Sequence, residues 1–187
     1  LAHFGTSLIE RALIDAYCRH KESTFHSLLI ENAFGIDWSD IRPELANYSP
    51  SDLLPASPLP TLSVRHTVGL GDYIREEEIP SDERLDDQLP QSLEACIRFY
   101  GTKNLKIKVN GQLETDIERL QKIARLYTDL QLDDYEFSID GNEQFKDVAS
   151  FKSFWEQLTG NDSTKDFLKD LYFVEQPFHR DFALDAS

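Results

Sequence analysis

Three short apolar stretches of this 187-residue chain end in residues that can handle protons or hard cations. Leu105-Lys106-Ile107-Lys108-Val109 reads as a strand running into an Asn110-Gly111 turn. Tyr135 to Asp140 ends in Asp140-Gly141-Asn142, and Leu171 to Glu175 ends in Glu175-Gln176-Pro177. Side chains alternate along a strand, so Lys106 and Lys108 share one face and Leu105, Ile107 and Val109 the other. If the strands are parallel, their ends share one rim, where two carboxylates and two ammonium groups converge. Such oxygen donors suit Mg²⁺, which takes one or two protein carboxylates together with waters and substrate oxygens. A lysine beside a divalent cation and a second lysine has its charged form disfavoured, which readies it to act as a general base. The chemistry that uses this set is removal of a proton α to a carboxylate: the metal stabilises the enediolate and the lysine takes the proton. Singly, each residue has a plainer explanation. Lys106 and Lys108 fit a solvated edge strand, and Asp140 is a common turn former. Glu175, emerging from an apolar strand, is the hardest to account for without a cation.

The elements that must hold these residues follow from the periodicity. Ser7-Leu8-Ile9-Glu10 has the pattern of a capping box opening a helix to about His20, with Ile9, Ala12, Leu13, Ala16 and Tyr17 as its apolar stripe. Thr24 can cap a short helix from Phe25 to about Asn32, and Ala33 to Pro60 reads mostly as loop. A strand is expected from Thr61 to Val68, then a solvated acidic loop, then a helix from Leu89 to Tyr100. Thr115-Asp116-Ile117-Glu118 has the pattern of a second capping box, opening a helix to about Leu130. A helix from about Asp147 to Leu158, with Val148, Phe151, Trp155 and Leu158 inward, and a short one from Thr164 to Asp170 complete the pattern. Strand and helix alternate, which argues for a parallel sheet with right-handed crossovers. Residues 1–60 read as a helical segment and linker, and residues 61–187 as the sheet-bearing part. Four strands do not close a barrel, which needs eight. The sheet is therefore a small open one or the first half of a barrel.

Composition narrows the function classes. The chain is 40% hydrophobic and 28% charged, the balance of a soluble globular protein. A net charge of −15 repels phosphate backbones, so nucleic acid is not an expected partner. No apolar run is long enough to span a bilayer, and no membrane partner is expected. Cys18 and Cys96 lie in amphipathic helical patterns and read as reduced core residues of a cytoplasmic protein. His66 reads as structural, and Gly69-Leu70-Gly71 is too short a pattern for a phosphate loop. The chain opens within a helical approach and contains no Met, as expected of a piece of something longer.

Lys-x-Lys, Asp-x-Asn and Glu-Gln-Pro, in that order at strand ends, resemble the enolase superfamily in its mandelate racemase/muconate lactonizing branch. Leu8 to Arg19 (LIERALIDAYCR) also resembles the helix leading from that family's capping domain toward its barrel. The resemblance implies an α/β fold, the first half of a modified (β/α)8 TIM-type barrel, preceded by helices from a mostly absent α+β capping domain. It further implies a Mg²⁺-dependent racemase, epimerase, cycloisomerase or dehydratase acting on a small carboxylate substrate, with a homo-oligomeric assembly common among such barrels. Carried over, Asp140 and Glu175 would be two of three Mg²⁺ ligands and Lys108 the base. Lys106 would contact the substrate carboxylate and depress the pKa of Lys108, and Asn142 would be a supporting polar residue. The family's third ligand belongs on a fifth strand and its opposite-face acid/base later still, outside these 187 residues. The alternatives are a non-catalytic open α/β binding module of acidic surface and a superfamily member that has lost activity.

Overall fold

The computed structural model describes residues 2–183 and divides into two compact units, Leu1–Leu62 and Ser63–Ser187. The first unit is helical. Helix α1 spans Ala2–His20 and α2 spans Phe25–Ile30, with the Thr24 hydroxyl accepting the Ser27 N–H as N-cap. Helical turns at Trp38–Asp40 and Pro43–Leu45 and a one-turn helix α3, Pro50–Leu53, carry the proline-rich stretch. Two expectations are corrected here. Helix α1 is already under way before Ser7, so that residue lies inside it and caps nothing. The stripe led by Ile9 and Leu13 faces outward, each residue 64% exposed. Cys18 is the buried face of α1, while Tyr17 and Phe25 both meet the Phe34 ring.

The second unit is a four-stranded parallel sheet of strands β1 (Arg65–Val68), β2 (Asn104–Lys108), β3 (Glu136–Asp140) and β4 (Leu171–Glu175). Their spatial order is β1-β2-β3-β4, the same as their order in sequence. Between them run helices α4 (Leu93–Tyr100), α5 (Leu113–Asp129) and α6 (Val148–Gly160). Ser92 caps α4 through the Ala95 N–H, and Gly101, at φ +64°, ends it in the left-handed conformation that favours glycine. Asp147 caps α6 through the Ser150 N–H.

The core lies on one face of the sheet. Val68, Leu105, Ile107, Phe137 and Ile139 pack with Leu93 and Ile97 of α4, Leu120, Ile123 and Leu126 of α5, and Phe154 and Leu158 of α6. Inside α6, Phe154 takes the inward position expected of Val148, which is exposed. Nor does Thr115 open α5, which begins two residues earlier. The Asp116 carboxylate accepts the N–H groups of Asn110 (3.0 Å) and Gly111 (2.9 Å), tying the β2–α5 loop to the helix. It supplies acceptors to two half-buried amides of that loop. The acidic loop is less solvated than its composition suggests: Glu78 accepts the Ile74 and Arg75 N–H groups. Cys18 and Cys96 are buried free thiols. No helix among the described residues is long and apolar enough to cross a membrane.

Candidate functional site

The charged residues occupy the other face of the sheet. Register pairs Lys108 with Asp140 and Asp140 with Glu175, so the three stand in one row across β2, β3 and β4 at the strands' C-terminal ends. The row beneath runs Thr67, Lys106, Ser138 and Phe173. The alternation that buries Leu105 and Ile107 lifts Lys106 and Lys108 onto this face.

Lys106 reaches up from its row to join the two carboxylates. Its Nζ lies 2.7 Å from Asp140 Oδ2 and donates to Glu175 Oε1 at 2.9 Å. Asp140 and Glu175 are thus close enough to share one cation, and the cation they share here is the Lys106 ammonium. Its bonds to Asp140 and then Glu175 hold its pKa above the ordinary lysine value, outweighing desolvation. For Asp140, burial pushes the carboxyl up. The Lys106 bond, the Asn142 N–H and the charge of Lys108 together outweigh that and hold it below the ordinary range. Lys108 is half-buried beside this cluster.

Asn142 supports Asp140 through its backbone: its N–H donates to Asp140 Oδ1 at 2.9 Å, and its side-chain amide donates to the Asp140 carbonyl at 3.2 Å. The chain is strained here. Asn142, Glu143 and Gln176 have φ of 45°, 63° and 40°, immediately after Asp140 and Glu175. The two rim loops hold each other in this form. Gly141 N–H donates to the Glu175 carbonyl, Glu143 N–H to Gln176 and Phe145 N–H to Pro177. The approach is so close that a Cβ on Gly141 would lie 2.7 Å from Pro177 Cα. Further out, Arg180 forks onto both oxygens of Glu143.

Two participants escaped the sequence reading. Arg65, at the start of β1, donates from Nη1 to Ser138 Oγ at 2.8 Å and from Nη2 to Glu175 Oε2 at 3.0 Å. Its guanidinium also lies over the Phe173 ring, 5.2 Å from the centroid. The signal was parity: counting back from buried Val68 in steps of one puts Arg65 and Thr67 on the lysine face. Reaching Glu175 from β1, however, depends on what the whole sheet does. Side chains standing straight up from a flat sheet would leave the β1 and β4 tips about 14 Å apart, three strand spacings. Instead, side chains from all four strands meet above one face.

As donors, Asp140 and Glu175 offer converging carboxylate oxygens of the kind Mg²⁺ takes. Among the described residues there is no group of three or more His, Cys, Asp or Glu that could hold a metal ion. Compared with protein-family models, curated proteins and solved structures, the chain matches none.

Proposed function

We propose that this chain carries part of the site of an enolase-superfamily enzyme, of the mandelate racemase/muconate lactonizing branch, that removes a proton α to a carboxylate. One observation carries the reading: Lys108, Asp140 and Glu175 share a single row at the C-terminal ends of neighbouring parallel strands, with both carboxylates drawn to one point. The C-terminal ends of strands are where α/β barrels and open α/β sheets build their sites.

The sheet supports the first half of a (β/α)8 barrel over a doubly wound fold. A doubly wound sheet reverses its strand order at a switch point and puts helices on both faces. Here the order is sequential, α4, α5 and α6 all contribute to the core on one face, and side chains converge on the other as they do inside a barrel.

In this reading Asp140 and Glu175 would hold Mg²⁺, with Asn142 fixing Asp140. When bound, the metal supplies positive charge opposite the oxyanion that develops on the substrate carboxylate. Lys106, which holds the two carboxylates here, would then turn its ammonium to the substrate carboxylate and orient it. Lys108, in the same row as the ligands, accepts the α-proton.

A second reading, a non-catalytic α/β module, is favoured by a different observation. Both carboxylates already have cationic partners, Lys106 for the pair and Arg65 for Glu175, as in a purely structural network. Exchange of the α-proton of small 2-hydroxy and 2-amino carboxylates in D₂O, followed by ¹H NMR with full-length protein and Mg²⁺, separates the two. The enzyme reading expects exchange that Lys108→Ala abolishes. Exchange indifferent to that substitution rejects the assigned base, and Mn²⁺ binding indifferent to Asp140→Asn rejects the metal site.

A further inference from the structure

We infer that Arg65 is a positioning residue for Glu175, holding its carboxylate so that Oε2 is engaged from beneath and only Oε1 is presented toward Asp140. The inference rests on the function proposed above and assigns a role to a residue outside its motifs.

The guanidinium is itself fixed before it meets Glu175. Nη1 donates to Ser138 Oγ, a buried side chain in the row of Lys106 and Phe173, and the guanidinium carbon lies over the Phe173 ring. Hydroxyl and aromatic face therefore set where the group sits and which way its plane turns. A planar fork so anchored offers Nη2 in one direction, and Glu175 Oε2 lies there at 3.0 Å. Oε1 is left facing Lys106 Nζ, the point shared with Asp140. With Oε2 drawn toward Arg65, Oε1 is the oxygen turned to the shared point, so the clamp favours one-oxygen ligation by Glu175. Partners that orient ligating side chains change metal affinity by about 10–100-fold when removed.

Charge and geometry predict opposite signs, which makes the role testable. Arg65 is positive, so on charge alone its removal should tighten binding of a divalent cation. If it acts by orienting Glu175, removal should weaken binding. The experiment titrates Mn²⁺ into full-length protein and its variants and reads free Mn²⁺ by electron paramagnetic resonance. Arg65→Met, which keeps the apolar stem over Phe173, is expected to weaken Mn²⁺ binding about tenfold. Arg65→Lys keeps the charge but lacks the fork, so it should also bind more weakly than the parent. It serves as the test if the Met variant does not fold. Unchanged or tighter binding in the folded variants overturns the inference.

A double-substitution cycle of Arg65→Met and Glu175→Gln, read as the urea unfolding constant, distinguishes failure here from failure of the proposed function. Parent protein that binds no Mn²⁺ yet shows at least about fivefold coupling in the cycle rejects the metal site and upholds the hold of Arg65 on Glu175. Absence of coupling rejects the hold itself.

Discussion

On one face of the sheet, Leu105, Ile107, Phe137 and Ile139 are sealed against apolar residues of three helices. One residue away along the same strands, Ser138 and Asp140 are sealed almost as well, Asp140 to 2% exposure, with Lys106 half-buried beside them. The backbone and pleat are common to both faces, but the forces differ. The helix face is held by non-directional transfer of apolar surface from water, so it tolerates imperfect fit. The charged face is held by directional pairs: Arg65 to Ser138 and Glu175, and Lys106 to Asp140 and Glu175. Removing one member strands the others in a poorly hydrated place. Such a face stores little net stability for its content, yet it holds opposite charges where a ligand could exchange with them.

Truncating the helix face should cost most. Ile107→Ala removes a fully buried core side chain of β2, and a loss of about 2–5 kcal/mol in urea unfolding is expected. A loss below that of the charged-face variant next described would invert the comparison. Lys106→Met keeps the stem and deletes the ammonium, leaving Asp140 and Glu175 facing each other without their shared cation. Because Lys106 is 19% exposed and water reaches Glu175, a smaller loss of about 1–3 kcal/mol is expected. In this variant millimolar Mg²⁺ should raise the urea midpoint more than in the parent, since the carboxylates no longer have a competing ammonium. An equal or smaller rise would argue against metal binding between them.

The smallest effect separates a buried carboxylate that has amide donors from the paired ones. Burial pushes the Asp116 carboxyl above its ordinary range, outweighing the Asn110 and Gly111 N–H groups and the charge of Arg119. A raised acid binds its proton more tightly in the folded state. Its contribution to stability is therefore highest below the unfolded pKa, about 4, and falls as pH rises through the folded value. Asp116→Asn should lower stability by about 1–2 kcal/mol, because one accepted N–H is lost, and should remove that downward slope. Urea midpoints of parent and variant between pH 4 and 7 check this. A parent-minus-variant difference that grows with pH would contradict the sign.

Much of the site could be read without coordinates. Alternation in Leu105–Val109 requires the two lysines to share a face, and the breaks at Asn110-Gly111, Gly141 and Pro177 mark where three strands end. These are short-range properties of the backbone, and the structure keeps them. The stripe of α1 misled because helical period reveals a face without saying what covers it. The capping pattern at Thr115 misled because Asp116 turns its carboxylate to the preceding loop. Arg65 and Ser138 carried no motif at all.

The chain by itself determined the α/β character, the number of strands in the second unit and the residue types at each strand end, because period, turn chemistry and side-chain alternation act within a few residues. Only the tertiary structure decided that β1 to β4 lie in sequential order. It alone set Lys108, Asp140 and Glu175 in one row, put the Lys106 ammonium between the carboxylates and let Arg65 meet Glu175 across 110 positions. Those outcomes depend on strand register and on how the sheet brings its side chains together. Both are set by packing over the whole unit, which no local pattern encodes.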